Sequence, residues 1–397
     1  MRCRVDAIVI GAGPAGSTAA RLLAQAGWSV AVIEKTRFPR RKVCGEFISA
    51  TSLPLVQDGG IGSEFFASAG PEIRRVGLFA RDMVVSSPMP RVDGSAWGWG
   101  RALGRDRLDS LLLDAAVRAG AKLFQPWKLS ALRRTQSGHC CTISSGSKSM
   151  ELSAPVLIAA NGSWEHGPLS PARAGAHSMR DLLAFKARFR NSDLPADLMP
   201  LLAFPGGYGG MVHTDGDRVS ISCCIRRDVL ARRRRDNSGS RAADATLLHI
   251  LQNCEGARTA LRRAELDGAW LSAGPIHPGI RRPFSDGIFF AGNIAGEAHP
   301  IVAEGISMAM QSAWLLCRRL IASQNGMAPS DVADIGMAYS RDWKRSFVPR
   351  IRAAATFAHI AMRPNVFVGA LPVLKSFPKI LTWGAQLSGK STGLVRA

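Results

Sequence analysis

The chain has 397 residues, 46% of them hydrophobic and 20% charged, a balance that excludes wholesale disorder and leaves room for two or three domains. Its net charge of +21 implies attraction to anionic surfaces or acidic ligands. The basic runs lack interleaved stacking aromatics, and no helix-turn-helix or zinc spacing is visible, so nucleic acid is not an expected partner.

The first apolar run, residues 5–10, leads straight into a glycine loop and so reads as a strand and not as a secretion signal. No uncharged stretch is long enough to span a bilayer, and a cytoplasmic protein is expected. The eight cysteines form no disulfide framework: Cys140-Cys141 and Cys223-Cys224 are adjacent pairs, and most are expected as small buried hydrophobes.

After the strand comes Gly11-Ala-Gly13-Pro14-Ala15-Gly16, then an Ala- and Leu-rich helix over 17–26, Gly27, and a second strand over 29–34 ending on Glu34-Lys35. A lone GxGxxG is weak, but strand, loop, helix, strand and terminal acid within about thirty residues form a dinucleotide-binding unit. Gly11 turns the chain sharply, Gly13 lets a pyrophosphate approach the backbone, and Gly16 lets helix and sheet pack closely. The helix N-terminus offers free N–H groups and a positive dipole end to phosphate. Glu34 is placed to accept both ribose hydroxyls and would repel a 2′-phosphate, which selects FAD or NAD over NADP.

Further along, residues 41–47 form a loop containing Lys42, Cys44, Gly45 and Glu46, and Trp97-Gly-Trp99 precedes Arg105-Asp-Arg-Leu-Asp109. Residues 156–163 run from a buried strand into Asn161-Gly162. Alternating apolar and polar residues over 182–225 predict an antiparallel sheet, interrupted by a flexible glycine loop from Phe204 through Tyr208 to Gly210. A buried strand over 287–291 enters Gly292-Asn293, followed by His299-Pro300 and Glu304-Gly305-Ile306 at the start of a helix. Beyond residue 322 the chain is helix-like over 332–359 and then is broken by Pro364, Pro372 and Pro378 into short apolar-basic pieces.

These segments resemble the p-hydroxybenzoate hydroxylase and geranylgeranyl reductase superfamily of FAD-dependent oxidoreductases. The stretch from Arg105 to Ala121 is similar to its arginine-and-leucine segment, where the arginine faces the FAD pyrophosphate. The run from Gly292 to Ile306 is similar to its second FAD motif, most of all in the reductase branch, and the loop at Cys44-Gly45 is similar to that branch's segment beside the isoalloxazine. Asn293 and Asn161 stand where the family carries acids, so direct use of NAD(P)H as electron donor is in doubt.

The resemblance implies an α/β, Rossmann-like FAD domain built from residues 1–70, 97–170 and 276–322. It implies an inserted β-sheet substrate domain over 71–96 and 171–275 and a C-terminal helical cap over 323–397. Gly11, Gly13, Pro14, Ala15, Gly16, Glu34, Lys35, Lys42, Cys44, Gly45, Arg105, Gly292, Asn293, Pro300, Gly305 and Ile306 are then expected at FAD. Phe204, Tyr208, Trp97 and Trp99 are expected around a hydrophobic substrate. His299, with a pKa near the working pH, is the leading acid/base candidate, ahead of Cys44 and Glu46. Monooxygenation of a polyketide- or isoprenoid-like molecule is the expected reaction. Prenyl or alkene reduction is the alternative, and a flavin-stabilised binding protein using its basic tail is a third. The tail could also lie on an anionic membrane or pack on the FAD domain, and a monomer or dimer is expected.

Overall fold

A computed structural model describes residues 2–93, 96–164, 167–169, 178–236, 240–323 and 328–391. Strand β1 (Ala7–Ile10) is buried on both faces, as an apolar run at the centre of a parallel sheet must be. It leads into helix α1 (Pro14–Gln25), which has a proline in its first turn where no N–H is needed, and then β2 (Val30–Ile33). Strands β3 (Arg75–Ala80) and β4 (Met83–Pro88), which belong to a second sheet, come next. Helix α2 (Arg105–Arg118), β5 (Lys122–Phe124) and β6 (Val156–Ala159) return the chain to the first sheet.

A long excursion follows through β7 (Leu182–Arg190), β8 (Leu198–Phe204), β9 (Gly207–Thr214) and β10 (Arg218–Arg226). Strand β11 (Ile288–Phe290) and helix α3 (Gly305–Ala322) then close the first domain. In the first sheet β11, β6, β1, β2 and β5 lie side by side and parallel, with Phe284–Ser285 antiparallel at the edge. Helices α1 and α3 pack through small residues such as Ala15, Ala19, Ala309 and Ala313 against it.

The second sheet runs β7-β10-β9-β8-β3-β4, antiparallel except at the β8–β3 seam, where the strands are parallel. That seam joins residues 75–88 to the later excursion, so the second sheet is assembled from two separate stretches. The boundary expected between residues 170 and 171 lies outside the described residues. One face of this sheet, with Phe185, Ala187, Phe189 and Phe204, packs on helices at Ala242–Asn253 and Glu255–Ala260. The opposite face, with Ala184, Tyr208 and Cys224, looks toward the first domain. Where the sequence suggested a flexible loop over 204–210, β8 and β9 form a tight hairpin turning at Pro205-Gly206, with Phe204 paired to Gly207. The bulky Phe204 ring covers Gly207, leaving no room for a Cβ there.

Helix α4 (Pro329–Met362) spans both halves. Its first part buries Tyr339, Trp343 and Phe347 against the first domain, and its later alanines, Ala354 and Ala358, meet the second sheet's inner face. Helices α5 (Pro364–Ser376) and α6 (Lys379–Ala385) follow.

Candidate functional site

The two sheets enclose a long cleft whose empty space, counted out to its mouth, is about 1690 Å³. Gly11, Gly13, Pro14, Ala15, Glu34, Lys42, Cys44, Gly45, Glu46, Arg105, Gly292, Asn293, His299, Pro300, Gly305 and Ile306 all line it. Gly16 does not, because it serves the packing beneath: a Cβ there would lie 1.8 Å from the Gly11 carbonyl oxygen. Gly11 itself has φ of 98°, and a Cβ would stand 2.7 Å from the Ala160 carbonyl oxygen, so only glycine fits this turn.

At Gly13 the situation is the reverse. A Cβ would meet no backbone, only the Arg40 and Arg105 guanidinium groups, each 3.9 Å away. Two cations thus face the start of α1 across an open slot, the arrangement a pyrophosphate requires. Arg105 is held by a bidentate contact to Asp109 at 2.7 and 2.8 Å. Arg40 bonds Glu34 at 3.1 Å and stands 3.8 Å from Asp109. Glu34 also accepts N–H bonds from Ala12 at 3.0 Å and Thr36 at 2.8 Å. With three acceptor sites of about four already used, it keeps room for about one ribose hydroxyl, not the two expected. Lys35, the next residue, is exposed and lies off the cleft.

The 42–47 loop crosses the cleft floor. Glu46 adopts a left-handed backbone, φ 63°, and its buried carboxylate meets Lys186 and, at 2.5 Å, Arg188 of β7. It also accepts the Arg105 backbone N–H at 3.2 Å, which caps α2. Burial alone would raise this carboxyl, but the two cations outweigh burial and hold it below the usual carboxylate range. Glu46 therefore stays ionised and locked between elements, which removes it as a proton donor.

At the other end Asn161 has a buried Oδ1 without a hydrogen-bond partner in the protein, an acceptor left for a ligand hydroxyl. Nearby, Glu297 accepts from Ser163 Oγ at 2.6 Å. Burial raises its pKa, although Ser163 and Arg281 pull the other way. His299 Nδ1 lies 3.0 Å from the Tyr208 hydroxyl. Burial, helped by the neighbouring charge of His359, pushes His299 down to about 4, far from the near-neutral value expected. Burial drives the Tyr208 phenol well above its ordinary value. Both side chains are neutral at physiological pH, with the phenol the natural donor and Nδ1 the acceptor.

Three of the expected substrate-wall aromatics lie elsewhere. Phe204 is on the far face of β8, edge-on to His249 with ring centroids 5.5 Å apart, because strand alternation turns it from the cleft while Ala203 faces in. Trp97 stacks on Phe66 at 5.4 Å inside the first domain. Trp99 is held between Arg74 and Arg91, 4.7 and 5.2 Å from its ring. Tyr208 does line the cleft, together with Met199, Leu201, Val212 and Ile276. Sequence reasoning missed Arg40, Lys186 and Glu297; only Glu297 had a local signal, two residues before His299.

The fit to FAD is thus carried by the arginine-flanked slot, the Glu34 carboxylate at the β2 end and the unpaired Asn161 acceptor. A family model described as an FAD binding domain matches residues 4–345. The chain belongs to this family of FAD-dependent flavoproteins. Among relatives, a rifampicin monooxygenase of Rhodococcus hoagii is 24% identical, covering 94% of this chain and 76% of its own length. A menaquinone reductase of Mycolicibacterium smegmatis is 31% identical over 35% of this chain, a region spanning 33% of the reductase's own length. The solved structure of a flavin-dependent brominase superposes with a TM-score of 0.75 at 19% identity, covering 98% of this chain and 94% of the other, which shows a shared fold.

Proposed function

We propose that the protein is a monooxygenase acting on a hydrophobic small molecule. The substrate class rests on one observation: the cleft wall contributed by the second sheet is apolar, and the polar pair where it meets the first domain, Tyr208 and His299, is neutral. The likeness to a rifampicin monooxygenase over most of the chain favours the reaction. Met199, Leu201, Val212 and Ile276 would hold an apolar substrate and exclude water, while no cation of that wall invites an acidic one. Bound FAD, once reduced by an external two-electron donor such as a nicotinamide, would supply the two electrons and the reaction with oxygen that put one oxygen atom on the substrate and release the other as water. Arg40 and Arg105 would hold its pyrophosphate, Glu34 a ribose hydroxyl, and Asn161 and Asn293 further hydroxyls. Glu297, buried and raised in pKa, can hold a proton within the cleft, and Tyr208 can donate a hydrogen bond to a neighbouring acceptor.

Reduction of a prenyl or other alkene is the second reading, favoured by the Cys44-Gly45-Glu46 loop on the cleft floor and by the likeness to menaquinone reductase. The two are separated by reducing the purified flavoprotein anaerobically and offering aromatic polyketides and prenyl lipids with and without isotope-labelled oxygen. The monooxygenase reading expects product that carries the label and forms only with oxygen. Glu297→Gln should lower that turnover about tenfold or more while retaining flavin. Saturation of a double bond without oxygen would establish the reductase instead.

A further inference from the structure

Four large apolar side chains between residues 373 and 387 face solvent: Val373 at 51%, Phe377 at 65%, Trp383 at 60% and Leu387 at 63% exposure. Val373 lies on α5, Phe377 at the junction that follows, Trp383 on α6 and Leu387 on the turn after it. The opposite side of the same segment is well packed, since Leu371, Leu374 and Leu381 join the cluster that contains Tyr208 and Ile301. The following turn is anchored too: the Lys390 ammonium is buried 2.8 Å from Glu304 at the start of α3. The segment is therefore fixed to the body of the protein while holding these large apolar side chains out in solvent.

Lys375 and Lys379 are exposed on either side of Phe377. No aspartate or glutamate occurs in the sequence after Asp342, so this stretch of chain carries positive charge with no acid of its own. Exposed aliphatic and aromatic groups flanked by lysines match the interface of an anionic bilayer: Trp and Phe sit at headgroup level and lysines reach lipid phosphates. Among the described residues no helix is long and apolar enough to cross a membrane, so the fit is to the surface. Self-association would bring Lys375 and Lys379 against their own copies on a chain of net charge +21. Single-stranded nucleic acid would make no use of Val373 and Leu387.

We propose that the α5–α6 face docks the protein on the surface of an anionic lipid bilayer. The reading is independent of which reaction the flavin performs. Flavin-loaded full-length protein is floated with phosphatidylcholine vesicles with and without phosphatidylglycerol. The expected result is co-flotation with the anionic vesicles, weakened by salt. The double variants Phe377→Ser/Trp383→Ser and Lys375→Glu/Lys379→Glu should each reduce partitioning about tenfold or more. Both should keep wild-type flavin absorbance and thermal midpoint, because these side chains stand in solvent. Brominated lipid should quench part of the tryptophan emission, and Trp383→Phe should lose that part. Absence of flotation with anionic vesicles would overturn the proposal, as would flotation indifferent to all four substitutions. A concentration-dependent dimer, or RNA retention, abolished by Phe377→Ser/Trp383→Ser without vesicle binding would overturn it in favour of those partners.

Discussion

His299 illustrates how a residue's chemistry is set by neighbours remote in sequence. Its position beside the second FAD motif was legible from Pro300 and Gly305-Ile306. Its charge state was not, because the groups that desolvate and repel its proton, Tyr208 and His359, come from β9 and α4. A histidine held near 4 in the fold but near 6.5 when unfolded binds its proton only in the unfolded chain between those values. Its contribution to stability is therefore complete above about pH 6.5 and is lost as pH falls toward 4. Urea midpoints measured across that range should fall with acidification in the wild type and fall less steeply in His299→Gln. Parallel slopes would show that His299 is not buried neutral. Phe204 and Tyr208 make the complementary point: both are aromatic residues at a glycine-rich hairpin, and which one faces the cleft depends on strand register.

Between elements, the Glu46 cluster ties the 42–47 loop to β7 and to the N-terminus of α2. In sequence, Lys186 and Arg188 alternate with Phe185, Ala187 and Phe189, which is the pattern of a strand with one solvated face. That pattern correctly indicates the strand and misleads on the burial, since the polar face is covered by the FAD domain and is sealed by the Glu46 and Asp106 carboxylates. Removing one member of such a buried set leaves charge unpaired. Glu46→Ala should cost about 3–5 kcal/mol in the denaturant-unfolding free energy. Lys186→Met with Glu46→Gln should recover part of that cost, because neither then leaves a lone buried ion between them. A Glu46→Ala protein of unchanged stability would mean that the cluster is solvated.

Across the whole molecule, the first domain was largely legible because its signals are local. Strand, glycine loop, helix and acid follow one another within a short stretch; Gly11 and Gly16 answer close backbone contacts, and Gly13 opens onto the slot between the two arginines. The second sheet was legible only as strands. Its parallel seam between β3 and β8 pairs residues more than a hundred positions apart, such as Leu78 with Leu201, and no local pattern encodes that pairing. The same holds for the C-terminal helices, whose basic and apolar composition left packing and membrane contact open. The inner side of that segment packs on the body through Leu371, Leu374 and Leu381, and its outer side holds Phe377 and Trp383 in solvent. Arg40 belongs with these non-local features, since it reaches the phosphate slot from a loop whose sequence carries no phosphate-binding pattern.

The proposed chemistry depends on a cofactor held between Gly13, Arg40, Arg105 and Glu34. The most direct measurement is flavin content, read from the absorbance spectrum of purified protein and from FAD released on denaturation. The structure predicts a yellow protein carrying one FAD per chain. It also predicts a folded but colourless Gly13→Asp variant, whose carboxylate would fill the slot between the two arginines. A folded wild-type protein that neither carries nor takes up FAD, or a Gly13→Asp variant that remains yellow, would contradict the account.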